Sequence, residues 1–497
     1  MGSLEGLAPA PDFFVLDDAR PEDKSLQAFM VSKSRGFLPR MDPVVTLPSE
    51  FDPLESILNR MPVKTLSGEP GLLADGKLGD VVKAELPDLT DAMDKYKDDL
   101  PLMNALYRDY SFLASAYLLE PCHQRFIKGE EYGLGRDVLP ANIARPIARC
   151  AELTGFKPFM EYAGSYALYN YKLVEPAKGL EYDNLRLIRA FEHGLDPLSS
   201  EAGFVLVHID MVRNSGPLVT GVVEALDACK VAAPGTSKER REKVNSGLAK
   251  ILEAMKKINE VMETMWQKSK PRSYTSFRTF IFGITSQSMF PNGVEYEGVS
   301  NGERWDFRGE SGANDSIIPT ADNFFCVAMP TTPLTEILKD FRQYRPSNHR
   351  QWLEWVKNSS ASCGLKQFAL GLDKADDDTD EAALLQSRAL WIQCLDRIRE
   401  FRWRHWCFTR EFILKQTSHP TATGGSPIVT WLPNQLTAVL NEMANVYEIS
   451  TKNGEKLGEV VEDIMDLATR QRETLAKEVA KYCQERGVDP AKQGLRV

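Results

Sequence analysis

One run of apolar residues does most to limit the folds open to this chain. It extends from Leu384 to Phe412 at spacings of three, four and seven residues, and no proline occurs between Asp380 and Thr417. Such spacing places apolar side chains on one face of a helix, and nothing in the run obliges that helix to break. We therefore predict one long amphipathic helix, whose apolar face carries a histidine, His405.

Similar spacings predict helices elsewhere in the chain. Leu100 to Leu118 forms one apolar stripe, Phe204 to Val223 is apolar over a length that favours a buried helix, and a last helix extends from about 457 to 484. The methionine-rich stripe from Ile251 to Met265 is interpreted as core packing, because the unbranched methionine side chain fills irregular gaps. Strand signals are few and internal repeats are absent, so the predicted fold class is all-α.

Four stretches lack a sustained apolar period and are predicted to be irregular. Residues 1–50 carry several prolines and should form an extended arm on the surface. Asp227–Ser246 should be a loop between helices, and Asp373–Asp380 a solvated connector. Asn292–Thr320, rich in Gly, Asn, Asp and Ser, should be a long loop, and long loops inside compact domains are often functional.

Charge and cysteine content exclude several classes of protein. The net charge of −10 argues against a nucleic-acid partner, because neutralising phosphates requires a basic surface. The eight cysteines are scattered without CxxC pairs, which favours buried thiols in a reducing compartment. Neither a secretory signal at Met1–Glu5 nor an apolar run of about 20 residues is present, so we expect a cytoplasmic protein without a membrane partner.

His405 is the first candidate for chemistry. A lone histidine on an apolar face is usually a satisfied core histidine, and the residues alone leave that interpretation open beside a metal-ligand role, such as holding a haem iron. Arg402 lies one turn earlier on the same side. Its guanidinium could pair with a propionate or with a carboxylate that orients the imidazole.

His208 is the second candidate, set in the apolar sequence Gly203–His208. Desolvation there should keep its imidazole neutral, so it could accept a hydrogen bond from an indole or hydroxyl group. A core histidine bonded to the backbone is the alternative. The other four histidines, in polar or turn-like contexts, are interpreted as surface residues: His123, His193, His349 and His419.

Two glycine-containing segments allow competing interpretations. Gly309–Ala313 nearly spells the nucleophile elbow of α/β-hydrolases, with Asp322 and His405 following in the required order. The final glycine is missing and no alternating strand–helix pattern surrounds it, so we disfavour that enzyme class. Thr423–Ser426 lacks the phosphate-loop patterns and is better interpreted as a lid behind the His405 helix.

Several motifs together resemble the indoleamine 2,3-dioxygenase family, in its fungal branch. They occur in the family's order between about Leu139 and Gln435. The matching segments are Asn292–Val299, Phe307–Ala313, Phe341–Pro346, Phe401–Trp406 and Thr417–Pro427.

The resemblance implies a haem b enzyme that inserts both atoms of O2 across the C2–C3 bond of L-tryptophan to give N-formylkynurenine. It also implies a two-domain, all-helical fold. We therefore expect an N-terminal arm at 1–50, a small helical domain at 51–195 and a large haem-binding domain at 196–497, with a lid near 415–427. We further expect a monomer that needs an external reductant to keep its iron ferrous.

The resemblance also assigns roles around the cofactor. His405 matches the proximal iron ligand. Arg402 and Asp322 match the pair that links a haem propionate to the proximal side. Ser311, Gly312 and Ala313 match the backbone segment beside the haem, and Ser311 is predicted to be catalytic together with His208.

Substrate-binding roles follow from the same resemblance. Arg278 matches the arginine that binds the substrate carboxylate, Phe204 and Tyr162 match walls of the distal pocket, and Thr423 matches the lid residue that closes over the amino-acid end. His208 is expected to accept a hydrogen bond from the indole N–H. The stretch Ser273–Phe277 departs from the paired aromatics of some relatives, which affects the shape of the pocket's amino-acid end.

Two alternatives keep the same fold. The first is the same chemistry on another indole, which would alter the carboxylate-binding residues. The second is a non-catalytic haem protein that stores or senses O2, which should have lost the substrate-binding residues. The presence of Arg278 and Thr423 argues against both.

Overall fold

The computed structural model describes residues 12–230, 233–372 and 380–495. This part of the chain is predominantly helical, which confirms the all-α prediction. Of the predicted connector Asp373–Asp380, only Asp380 falls within the described residues. The helices of the first half are α1 (Asp52–Arg60), α2 (Leu72–Asp75), α3 (Leu78–Glu85), α4 (Thr90–Asp94), α5 (Leu100–Phe126), α6 (Ala141–Thr154), α7 (Ser200–Val212) and α8 (Gly216–Cys229).

The second half contains the longest helices and, with α7 from the first half, the elements that surround the main cavity. The chain also forms two small sheets, in which β1 pairs parallel to β4, β4 antiparallel to β5, and β2 antiparallel to β3. The helices are α9 (Ser237–Glu263), α10 (Met265–Lys268), α11 (Pro271–Arg278), α12 (Ile317–Phe324), α13 (Pro333–Phe341), α14 (Ser347–Ser362), α15 (Leu365–Leu370), α16 (Glu381–Phe408), α17 (Ile428–Thr451) and α18 (Glu459–Arg486). The strands are β1 (Val138–Leu139), β2 (Tyr171–Leu173), β3 (Leu185–Leu187), β4 (Val294–Tyr296) and β5 (Arg304–Trp305).

Helix α16 confirms the prediction of one long helix through His405. Its N-terminus is capped by Asp380, whose carboxylate accepts hydrogen bonds from the backbone of Ala382 and Ala383. After Phe408 the helix widens into a π-helical turn, Thr409–Leu414, before the chain leaves it. Helix α16 packs between α9 and α17, so the apolar face that carries His405 is directed into the molecule.

Helix α5 is buried on all sides, so the prediction of a single apolar stripe at Leu100–Leu118 is wrong. Several of its buried polar residues find partners, although Ser111 Oγ and both ring nitrogens of His123 have none among the described residues. Asp109 binds the guanidinium groups of Arg108 and Arg189. Ser115 donates a hydrogen bond to the carbonyl of Phe280. Periodicity could not reveal these partners, because they lie elsewhere in the chain.

Residues 12–48 of the predicted N-terminal arm form no regular helix or strand, but their second half does not lie on the surface. Phe29, Val31 and Phe37 are buried. The backbone N–H of Val31 donates to the side chain of Asn348 at 2.8 Å, and the Phe29 ring packs against Tyr169. Apolar residues without helical spacing have therefore entered the core through an extended segment.

Two helix boundaries differ from the sequence prediction. The helix expected over Phe204–Val223 is interrupted at Arg213–Ser215, because Pro217 starts the new helix α8. The predicted loop Asp227–Ser246 is much shorter, since α9 already begins at Ser237. A reciprocal capping box between Thr236 and Glu239 fixes that beginning.

Two of the four histidines assigned to the surface are buried. The ring of His123 packs against Phe280, and His349 lies between Phe29 and Phe37. Burial lowers the pKa of His123 to about 4 and that of His349 to about 3. His193 and His419 are half-buried.

Buried apolar side chains form a continuous core from Ala28 to Leu495. Within the described ranges, none of the helices is both long enough and apolar enough to cross a bilayer. The division into domains at 51–195 and 196–497 stays a prediction.

Candidate active site

The main cavity lies beside the face of α16 that carries His405. Its empty space, including the solvent at its open mouth, is about 1140 Å³. Its walls are mostly apolar. The lining residues are Phe204, Val207, His208, Met211, Met262, Met265, Tyr274, Glu310, Ser311, Gly312, Asp315, Phe401, His405, Phe408, Thr409, Phe412, Ile413, Ala422, Thr423, Ser426, Pro427, Ile428, Trp431 and Leu432.

His405 presents its imidazole to this cavity without a hydrogen-bond partner among the described residues. Burial, with a smaller electrostatic contribution from the neighbouring His208 and Arg402, lowers the pKa of His405 to about 4. The ring is therefore neutral at physiological pH and keeps a lone pair for a metal. The π-helical turn that follows directs Thr409 and Phe412 into the same cavity, and such turns are frequent at functional sites.

The predicted pair Arg402 and Asp322 is in contact. The guanidinium Nη2 lies 2.6 Å from Asp322 Oδ2, and both side chains are largely buried. Neither residue is on the cavity wall itself. Arg402 Nη1 and Asp322 Oδ1 remain without a partner, so the pair retains one donor and one acceptor for a further polar group.

His208 combines the two interpretations that its sequence allowed. Its Nδ1 lies 2.8 Å from the carbonyl oxygen of Phe204, and a carbonyl can only accept, so Nδ1 carries the proton. Burial lowers the pKa of His208, which leaves the ring neutral. Its Nε2 is then an unprotonated acceptor at the cavity wall.

Aromatic rings surround His208 and form one wall of the cavity. The Phe204 ring lies 5.0 Å from the His208 ring and 5.4 Å from the Tyr274 ring, measured between centroids. Tyr162 does not line the cavity but packs edge-on against His208 at 5.7 Å. Its buried hydroxyl lacks a partner. The wall can therefore hold a flat aromatic ligand.

The segment Ser311–Asp315 supplies a second wall. Ser311 and Gly312 line the cavity, whereas Ala313 lies just outside it. Buried Arg345 holds this segment by donating to the carbonyls of Ala313 at 2.6 Å and Asp315 at 3.3 Å. Sequence analysis missed Arg345 as a supporting residue, although it belongs to a motif that carries the family resemblance.

The hydrolase interpretation of Ser311 gains nothing from the structure. The Ser311 hydroxyl accepts a hydrogen bond from the backbone of Ala313 at 3.3 Å. Strands in the described residues are two or three residues long, so they do not form the parallel sheet on which a nucleophile elbow stands.

The predicted lid covers the cavity and is tied to its surroundings. Thr423 donates from its hydroxyl to the carbonyl of Glu310 at 2.9 Å, and Arg308 donates to the carbonyl of Gly424 at 2.9 Å. Gly425 has φ +80°, and a β-carbon there would lie 2.5 Å from the carbonyl of Thr285. Only glycine fits this turn without a shift of the backbone.

Arg278 is buried but lies behind the wall rather than on it. Its Nη2 donates to the carbonyl of Thr421 at 2.9 Å, and its guanidinium stacks on the Phe282 ring. The Nε and Nη1 atoms have no partner. The carboxylate-binding role predicted for Arg278 would therefore require its free N–H groups to be reached past Tyr274 and the lid.

Sequence analysis missed two acidic residues on the wall. Burial raises the pKa of Glu310 to about 8 and that of Asp315 to about 6. Glu310 lies within the motif Phe307–Ala313, and Asp315 follows it by two residues. Met262 and Met265, interpreted as core packing, are buried and also line the cavity. Sequence alone could not distinguish a core position from a cavity wall.

The residues present fit a haem. The unpartnered His405 imidazole offers a nitrogen ligand, the walls are broad and apolar, and the free Nη1 of Arg402 offers a donor for a propionate. A neutral imidazole with a charged pair behind it is a frequent arrangement around haem iron.

Comparison with known proteins finds similarity to one enzyme family. The family model described as indoleamine 2,3-dioxygenase matches residues 25–469. The chain is 23% identical to mouse indoleamine 2,3-dioxygenase 1 over 77% of its own length and 83% of the relative. It is 23% identical to the Saccharomyces cerevisiae indoleamine 2,3-dioxygenase, with coverages of 78% and 80%. An indoleamine 2,3-dioxygenase of Penicillium citrinum is 24% identical, with coverages of 75% and 77%.

Proposed function

Because the chain belongs to the indoleamine 2,3-dioxygenase family, we propose that it is a haem-dependent dioxygenase that converts L-tryptophan and O2 to N-formylkynurenine. Membership makes it an oxidoreductase of the dioxygenase class. The observation that carries the finer proposal is the neutral, unpartnered His405 imidazole on the wall of a large apolar cavity. A side chain so placed satisfies its lone pair with a ligand from outside the protein.

His405 would be the protein ligand of the iron. Arg402, held by Asp322 at 2.6 Å, would donate its free Nη1 to a propionate. When bound, haem b supplies the binding and activation of O2, for which an external reductant keeps the iron ferrous. The apolar walls then keep bulk water away from the reaction.

The aromatic wall suits the indole ring. Phe204 and Tyr274 would pack on its faces, and His208 Nε2 would accept the indole N–H. Tyr162 would hold His208 in position. Ser311 and Gly312 would line the space beside the reacting atoms, with the glycine leaving room for close approach and Ala313 supporting them from just outside the cavity.

The reaction requires no net proton transfer, since both oxygen atoms enter the product and no group leaves. The electron-rich C2–C3 bond can be attacked without prior removal of the indole proton. His208 would therefore act by orienting the substrate. Thr423 and its neighbours would close the cavity over the amino-acid end, where Arg278 would bind the carboxylate.

The placement of Arg278 favours a second candidate, the same chemistry on an indole that lacks a carboxylate. Arg278 is separated from the cavity wall and already donates to Thr421. An indole amine would not need it. Comparing tryptophan with tryptamine decides between the two substrates.

The test is to add L-tryptophan to the reduced, haem-loaded protein in air enriched with ¹⁸O2. We expect N-formylkynurenine that contains both labelled atoms. Tryptamine and free indole serve as parallel substrates. If the protein binds oxygen stably but forms no product from tryptophan, the dioxygenase proposal is contradicted. The cytoplasmic location, the monomeric state and the two-domain division are part of the same proposal.

A further inference from the structure

Glu310 is a buried carboxyl group on the cavity wall that has no protein partner. Only 3% of the Glu310 surface is exposed to solvent. Among the described residues, its carboxylate forms no hydrogen bond or ion pair. The other carboxyl on the wall differs, because Asp315 accepts the backbone N–H of Ile317 at 2.7 Å. Only the backbone of Glu310 is engaged, through its carbonyl and the Thr423 hydroxyl.

The described wall of the cavity contains two carboxyl groups, and its only basic side chains are the neutral imidazoles of His208 and His405. Glu310 and Asp315 line it, and no lysine or arginine side chain does. The titratable groups that interact electrostatically with Glu310 are anionic or neutral: Glu161, Tyr162, Tyr166 and Tyr274. Within the described part of the chain, therefore, no cationic side chain compensates a charge on Glu310.

An uncompensated carboxyl is unfavourable in a buried site, and a packing role would be filled better by an apolar side chain. A carboxyl group at this position therefore suits a partner that is part of a bound ligand. The complementary chemistry is a cation with N–H donors, because an ionised carboxylate only accepts.

We propose that the Glu310 carboxylate binds the ammonium group of the indole substrate and selects cationic indole amines over neutral and acidic indoles. This inference rests on the proposed function in taking an indole as the ligand. The Thr423 hydroxyl bond to the Glu310 backbone then couples this subsite to the lid. Closure of the lid and binding of the ammonium would then both depend on the hydrogen bond between Thr423 and Glu310.

The protonation of Glu310 is consistent with this role. Burial raises its pKa to about 8, so that most of the Glu310 carboxyl is neutral near pH 7 when no cation is in contact with it. An ammonium in contact favours the ionised form and lowers the pKa again. The carboxyl therefore becomes charged when its partner is present.

Calorimetric titration of the haem-loaded protein with three ligands tests the proposal. L-tryptophan carries both charges, tryptamine lacks the carboxylate and indole-3-propionate lacks the ammonium. In Glu310→Gln we expect L-tryptophan and tryptamine to bind on the order of 10- to 100-fold more weakly, with indole-3-propionate unchanged. An equal loss for all three ligands, or none for the two amines, overturns the proposal.

Asp306→Asn is the matched control, since Asp306 is an exposed carboxylate on the same segment that does not line the cavity. It should leave all three affinities unchanged. If Glu310→Gln does not fold, the wild-type protein still tests the ammonium subsite. It should bind L-tryptophan more tightly than indole-3-propionate by a similar factor. Equal affinities there contradict an ammonium subsite.

The same titrations separate the two proposals. If the amines bind with the expected dependence on Glu310 but no oxygenated product forms, the dioxygenase reaction fails and the subsite stands. If N-formylkynurenine forms while Glu310→Gln leaves the affinities unaltered, the subsite alone fails. If none of the three indoles binds, both the dioxygenase proposal and the ammonium subsite are overturned.

Discussion

The Nε2 atom of His208 lies close to the backbone of Gly312: a β-carbon built on Gly312 would be 3.6 Å from it. This nitrogen is the acceptor of a neutral ring, because Nδ1 donates to the carbonyl of Phe204. Helix α7 and the Ser311–Asp315 segment thus meet at an unsatisfied acceptor inside the cavity.

We predict that His208→Leu weakens L-tryptophan binding by about 1 kcal/mol, the usual contribution of one hydrogen bond. The comparison ligand is 1-methyl-L-tryptophan, which has no indole N–H, so its affinity should be nearly the same in variant and wild type. Titration of both ligands measures the difference. Equal losses for both would show that His208 only shapes the wall.

His405→Ala should lose haem or leave it poorly ligated, because the only other imidazole on the described wall is His208, which belongs to α7. The measurement is the Soret band of the purified variant after haem addition. His193→Ala is the control, since His193 is half-exposed and does not line the cavity. A normal Soret spectrum in His405→Ala would refute its assignment as the iron ligand.

Gly425→Ala should disrupt the lid more than an ordinary glycine replacement. A left-handed backbone conformation costs a residue with a β-carbon about 1–2 kcal/mol, and Gly425 adds a 2.5 Å clash with the carbonyl of Thr285. Gly454→Ala measures the cost of the left-handed conformation alone, because Gly454 has φ +82° and no described atom lies within 4 Å of the added carbon. Urea unfolding and tryptophan affinity should both separate the two variants. Identical behaviour would show that the Thr285 contact is soft.

Glu310 should make stability depend on pH in a defined direction. Its folded pKa of about 8 exceeds the ordinary value of 4.5, so the folded protein keeps a proton that the unfolded chain releases. This contribution is complete below about pH 4.5 and is lost as pH rises towards 8, at up to about 1.4 kcal/mol per pH unit. Glu310→Gln cannot titrate, so its stability relative to wild type should increase between about pH 5 and pH 8. Urea unfolding across that range measures the difference, and a constant difference would contradict the burial of an uncompensated carboxyl.

The long helices could be predicted from sequence because their signals are local. Uninterrupted apolar spacing and the absence of proline determined α16, and α18 follows nearly the predicted range. The break at Arg213–Ser215 was not predicted, because the apolar stretch Phe204–Val223 continues across it and a proline such as Pro217 can stand in the first turn of a new helix. The buried path of Phe29 and Val31 could not be predicted, since extended apolar residues acquire their partners only from distant segments.

The candidate site was predictable only in part. The family resemblance identified residues that the structure brings to one cavity, among them Phe204, His208, Ser311, Thr423 and His405. It did not predict that Arg278 would lie behind the wall. Glu310 carried no signal in the sequence, because a glutamate becomes unusual only when burial removes its water and leaves it without a partner.

The sequence by itself determined the helical class, the long helix through His405 and membership of an oxygenase family, because periodicity and ordered motifs are properties of the chain. Tertiary structure alone decided which polar groups are paired and which are left for a ligand. Asp322 binds Nη2 of Arg402 and leaves Nη1 free, whereas the Glu310 carboxyl and the His405 imidazole have no partner at all among the described residues. That difference depends on the burial and distances that arise when α7, α16 and the lid pack around one cavity.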